Sequence, residues 1–142
     1  MDYTSRVRPV FVVYLVLIAA GIVAATVIGL VRTEDDPAAA RTVAQFSSAV
    51  KRGDGPAACE ELAAATVDSL ERQEGEECAR AVLGLGLRGE RPTRGDVAER
   101  SAKVDAGQDG SFFLDNTRRG WLITAFACKP VEARPYDCEV ED

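Results

Sequence analysis

The stretch Gly120–Cys138, GWLITAFACKPVEARPYDC, carries the reading of the fold. Trp121 to Cys128 alternates with a period of two and reads as a strand. Trp121, Ile123, Ala125 and Ala127 fall on one face, and Leu122, Phe126 and Cys128 on the other. Both faces are mainly apolar, as suits a strand covered on both sides. A loop with two prolines then leads to Cys138. A Cys128–Cys138 bridge would close a ring of about eleven residues, contributing on the order of 3 kcal/mol by the chain-entropy estimate. Tyr136 and Asp137 are expected to seat this tail against the sheet.

Upstream, the pattern repeats. Val97 to Ala106 reads as one strand, Gly107–Gly110 as a turn, Ser111 to Asn116 as the next strand and Thr117–Gly120 as a second turn. Gly84 to Gly95 is rich in Gly and Arg and reads as a loop. Its GLGLRG lacks the full G-x-G-x-x-G spacing and no strand–loop–helix unit surrounds it, so it is no nucleotide site.

Before that loop the period becomes helical. Pro37 follows Asp36, a capping pair, and Ala39, Val43, Phe46 and Val50 share a stripe that Gly53 ends. This predicts a helix over 37–52. A second start at Asp54-Gly55-Pro56 puts Cys59, Leu62, Ala63, Thr66 and Leu70 on one face until Gly75. Cys78, Ala81, Val82 and Leu85 form a further stripe. If 56–72 were one straight helix, Cys59 would lie about 20 Å from the turn, too far to reach Cys78. A break near Ala64–Thr66, with Thr66 as N-cap, removes the conflict and allows a Cys59–Cys78 bridge. Helices followed by an antiparallel meander make the class α+β.

The front of the chain differs in kind. Val10 to Val31 contains no charged residue, and 22 residues of helix span about 33 Å, enough for a hydrocarbon core of about 30 Å. The run is too long for a signal-peptide core, and its small residues lie inside rather than after it. An uncleaved anchor is the expectation: residues 1–9 cytoplasmic, 10–31 spanning, 32–36 an acidic linker and 37–142 an exported domain. Arg6 and Arg8 before the span, against Arg32, Glu34, Asp35 and Asp36 after it, give that orientation. Gly21, Ala25 and Gly29 recur every four residues and form a candidate face for pairing two anchors.

Cys59, Cys78, Cys128 and Cys138 all follow the span, and an even count in an exported domain reads as disulfides. With no C-x-x-C pair and no histidine, zinc is disfavoured. The chain carries 17 Lys+Arg against 23 Asp+Glu, and the part beyond the span is more acidic still. That disfavours nucleic acid and anionic membrane surfaces as partners. The excess of Arg over Lys and the abundant Ala suggest a GC-rich bacterial genome.

The absence of histidine also removes a Ser-His-Asp triad and a Cys-His dyad. No cofactor motif is present. Asp105 and Asp115 remain as candidate acid–base groups in a pocket, though Asp is common where strands meet turns. Arg118 and Arg119 read as a polar hairpin tip and Trp121 as core.

Several pieces together carry a resemblance: DPAAARTVAQFSSAVKRGD, CEEL, ECARAV, FFLDNTRRGWLITAFAC and PYDCEVED. Most specific are Gly120, Trp121, Cys128, Pro135, Tyr136, Asp137 and Cys138. The chain resembles small membrane-anchored proteins of high-GC Gram-positive bacteria with a nuclear-transport-factor-2-like domain, also described as a cystatin-like cone. The resemblance implies helices packed on a curved antiparallel sheet. Relatives of that wider fold include isomerases and cyclases, and also non-enzymatic scaffolds of single-span envelope complexes. The missing histidine departs from the enzymes. The expectation is a non-enzymatic, membrane-tethered extracytoplasmic domain that binds a protein partner or helps an envelope complex assemble, with a ligand-binding or weakly catalytic pocket in the cone, using Asp105 or Asp115, as the alternative.

Overall fold

A computed structural model of the 142-residue chain describes Val13, Leu17 and residues 37–93, 95–132 and 134–142. The expected anchor at 10–31, its Gly21, Ala25 and Gly29 face, the N-terminal segment and the 32–36 linker lie outside the described residues, apart from Val13 and Leu17, which are helical and exposed. Among the described residues no helix is long and apolar enough to cross a membrane. The chain divides at Thr33–Glu34, and the description below concerns the second unit.

That unit is α+β. Helices α1 (Pro37–Arg52), α2 (Gly55–Glu60), α3 (Ala64–Glu74) and α4 (Cys78–Gly84) precede strands β1 (Gly95–Ala98), β2 (Ser101–Asp105), β3 (Ser111–Thr117), β4 (Gly120–Val131), β5 (Arg134–Asp137) and β6 (Val140–Glu141). The strands form a curled antiparallel sheet in the order β1-β2-β3-β4-β5, with β6 also paired to β4.

The α1 stripe forms as its spacing predicts: Ala39, Val43, Phe46 and Val50 are buried. Phe46 meets Phe112 at 5.6 Å and Phe126 at 5.4 Å between ring centroids, so three rings from α1, β3 and β4 fill the concave side of the sheet. Leu114, Ile123 and Val104 complete that layer, each fully buried. Offset and edge-on rings at such distances add to the burial of their area.

The break between α2 and α3 falls at 61–63, earlier than expected, and for a reason the helical pattern does not carry. Glu61 to Ala63 joins the edge of β4. The Ile123 amide donates to the Glu61 carbonyl at 2.9 Å, and the Ala63 amide donates to the Ile123 carbonyl at 2.8 Å. A chain making sheet hydrogen bonds cannot continue a helix through the same residues. Ala63, not Thr66, takes the N-cap position, with extended backbone and no side-chain cap. Asp54 does cap α2, accepting from the Ala57 amide at 3.2 Å.

The break lets the first bridge form. Cys59 and Cys78 are joined, with Cα atoms 6.2 Å apart. Gly55, one turn before Cys59, is pressed against Ala79, and a Cβ there would collide with the Ala79 carbonyl. The close approach of α2 to α4 therefore depends on that glycine.

Three sheet expectations are corrected. Val97–Ala106 is not one strand: it folds back at Glu99–Arg100, with Glu99 at φ 55°, into β1 and β2. Phe126 does not lie opposite Ile123: register irregularities in the β3–β4 pairing leave extra residues on β4, and Phe126 joins Trp121 and Ile123 in the core. An extra residue in a strand reverses the alternation beyond it. The proline loop contains β5, which pairs Lys129 with Asp137 and Val131 with Arg134, while β6 pairs with Ala125 and Phe126. Cys128 and Cys138 are joined beside β5, closing the clamp expected there.

Candidate functional site

Asp105 and Asp115 stand on β2 and β3, both exposed. They are not neighbours. Asp105 pairs in register with Ser111, and Asp115 with Ser101. Four residues of strand separate the two pairs, about 13 Å. Each carboxylate accepts from the serine facing it: Ser111 Oγ donates to Asp105 at 2.6 Å and Ser101 Oγ to Asp115 at 2.7 Å. Lys103 Nζ adds a 3.0 Å ion pair with Asp105. Partial burial pushes the Asp105 carboxyl up, but the Ser111 hydroxyl and Lys103 outweigh it and hold it below the ordinary carboxylate range. Lys103 also lies over the Tyr136 ring, 5.5 Å from its centroid, and that ring meets Phe113 edge-on at 5.0 Å. These contacts seat Tyr136 of β5 against β2 and β3.

Two concavities lie elsewhere, along α1. The first, about 430 Å³, runs between α1 and α2. Ala44, Ala49 and Ala57 line it, with Arg41 and Arg52 from α1 and Glu60 and Glu61 from the end of α2. Its cations are engaged: Arg41 Nε donates to the Pro37 carbonyl at 3.3 Å, and Arg52 reaches Ser48 Oγ and Asp54. Burial pushes the Glu61 carboxyl up, and neighbouring Glu60 adds to that. The walls are thus opposed in charge.

The second cavity, about 320 Å³, lies between α1 and the 86–92 segment, lined by Ser47, Ser48, Lys51, Gly89, Arg91 and Pro92. Gly89 (φ +66°) packs on Lys51 and the Ser47 carbonyl, leaving no room for a Cβ. The segment is held by Asp109, 5% exposed, in the short 3-10 turn Gly107–Asp109. Its carboxylate accepts from the Arg88 amide at 2.7 Å and the Glu90 amide at 2.8 Å. GLGLRG is further unsuited to cradle a nucleotide phosphate, because an internal carboxylate already takes the Arg88 amide within it and the Glu90 amide just after it.

Sequence reasoning missed Asp109, Ser47 and the α1 cavities. The only signal for Asp109 was its place in a Gly-rich turn, which fits a solvated Asp equally well. Of the cysteines, all four are paired. Among the described residues no group of three or more Cys, Asp or Glu side chains is placed to hold a metal ion. Comparison with family models, with curated proteins and with solved structures finds no match to this chain.

Proposed function

We propose that the chain is a membrane-tethered extracytoplasmic domain of a bacterial envelope, of the nuclear-transport-factor-2-like kind, that works by holding a protein partner. The observation that carries the reading is the filled interior. Phe46, Phe112 and Phe126 occupy the concave side of the sheet, so recognition falls to the outer surface. There the α1–α2 groove offers an alanine floor between cationic and acidic walls, chemistry suited to a peptide segment of mixed charge. Two disulfides in one small domain suit an oxidising compartment. The uncharged run Val10–Val31 supplies the tether.

The test uses the full-length chain in bacterial membranes. External protease on cells stripped of their wall should digest the 37–142 unit. A photo-crosslinker replacing Gln45 in the groove should give a discrete adduct absent when placed at Arg118. A unit protected from external protease would overturn the topology, and adducts identical from both positions would overturn the partner reading.

A further inference from the structure

The second cavity differs from the first in one respect that bears on ligands: its two exposed cations have no protein partner among the described residues. Lys51 and Arg91 line it, and neither makes a hydrogen bond or ion pair with the described residues, on a chain of net charge −6. The nearby carboxylates form no ion pair with Lys51 or Arg91 and accept from backbone amides. Asp109 accepts from the Arg88 and Glu90 amides, and Glu90 accepts from the Gln108 amide. Ser47, 3% exposed, lines the same cavity, and its hydroxyl is buried with no hydrogen-bond partner. A buried polar group in a native fold is nearly always satisfied, and one that is not points to a missing partner. The wall is also built rather than incidental. Gly89 packs directly on Lys51, and the Asp109 latch fixes the segment that carries Arg91.

We propose that the cavity between α1 and the 86–92 segment binds an oxyanion group, held by Lys51 and Arg91, toward which the Ser47 hydroxyl turns from its buried position in the wall. Two cations and a hydroxyl donor are the chemistry that recognises a phosphate or carboxylate. The volume admits a small ligand or one anionic group of a larger one. The cavity adjoins the partner groove along Ala44 and Ser48 of α1, but its cations Lys51 and Arg91 line it and not the groove, so the two readings are tested at different residues.

The full-length chain, with both disulfides intact, is titrated calorimetrically with inorganic phosphate and separately with citrate, at constant ionic strength set with chloride. Saturable binding of either anion is expected, and the tighter one identifies the source as phosphate or carboxylate. Lys51→Gln and Arg91→Gln should each weaken it about tenfold or more, the scale of one charge-assisted hydrogen bond. Lys129→Gln, on β4, should leave it unchanged. Ser47→Ala should weaken binding, and thermal unfolding checks that each variant folds. Should Ser47→Ala fail to fold, the Lys51 and Arg91 variants decide the matter alone. No saturable binding of either anion, or equal weakening by Lys129→Gln, overturns the proposal.

Discussion

The hydroxyl of Thr66, in the first turn of α3, donates to the carbonyl of Ile123 on β4 at 3.2 Å. It also lies 3.0 Å from the Thr124 carbonyl, where the Asp142 amide arrives from the C-terminus. The helical layer, the sheet edge and the chain end thus meet at one fully buried side chain. Thr66→Val keeps the shape and removes the donor. Both carbonyls retain another amide donor, so the expected loss is about 1 kcal/mol of unfolding free energy. Urea unfolding of the oxidised protein measures it.

Asp109 latches the 86–92 segment through two amides. Asp109→Ala leaves both donors without their acceptor, and the expected cost is about 2–3 kcal/mol. Hydrogen exchange should show the Arg88 and Glu90 amides losing protection more than those of β3, since the segment can open locally without unfolding the sheet.

Gly55 and Ala79 set the approach of α2 to α4. Gly55→Ala should push these helices apart and cost more than about 1–3 kcal/mol, the scale of overpacking with backbone displacement. The Cys59–Cys78 bridge should then form more slowly on oxidative refolding, read by timed thiol alkylation. Gly84→Ala, whose Cβ would meet open space, is the control.

How much of this was legible in the sequence depends on whether the cause was local. The α1 stripe and the two cysteine pairings followed from periodicity and reach, because helical spacing fixes which side chains share a face. The turn at Glu99–Arg100 did not, since neither residue is a turn former and Glu99 takes a positive φ imposed by the β1–β2 pairing. Phe126 was placed on the wrong face because an irregularity in β4 has no sequence mark here. Strand β5 exists through pairing with the nearby end of β4, in a proline-bearing stretch whose pattern reads as loop, and β6 through pairing with Ala125 and Phe126 further back on β4. Asp105 ends β2 as expected, whereas Asp115 lies two residues inside the end of β3. Their serine partners are cross-strand neighbours, visible only once register is known.

The pH response should carry opposite signs at Asp105 and Glu61. The Asp105 carboxyl is held below its ordinary value near 3.9, so its contribution is present above that value and lost as pH falls through the lowered one. The Lys103 ammonium, raised first by its hydrogen bond to Asp105, contributes below about pH 10 and loses that as pH rises through its raised value. Glu61, raised by burial and Glu60, does the reverse of Asp105. Its ionisation opposes folding, so stability falls as pH rises from about 4.3 through its raised value. Glu61→Gln should therefore be more stable than the parent at pH 7, with the difference shrinking toward pH 4. Ser111→Ala should move the Asp105 titration upward, followed by carboxyl NMR.

The central claim is a two-bridge domain folded where thiols oxidise, and it is tested most directly by non-reducing peptide mapping of the full-length chain. The protein is isolated from membranes with free thiols alkylated at lysis. The account predicts Cys59 linked to Cys78, Cys128 linked to Cys138, and no alkylated cysteine. Four alkylated cysteines, or bridges crossed between the helical pair and the tail pair, would contradict it.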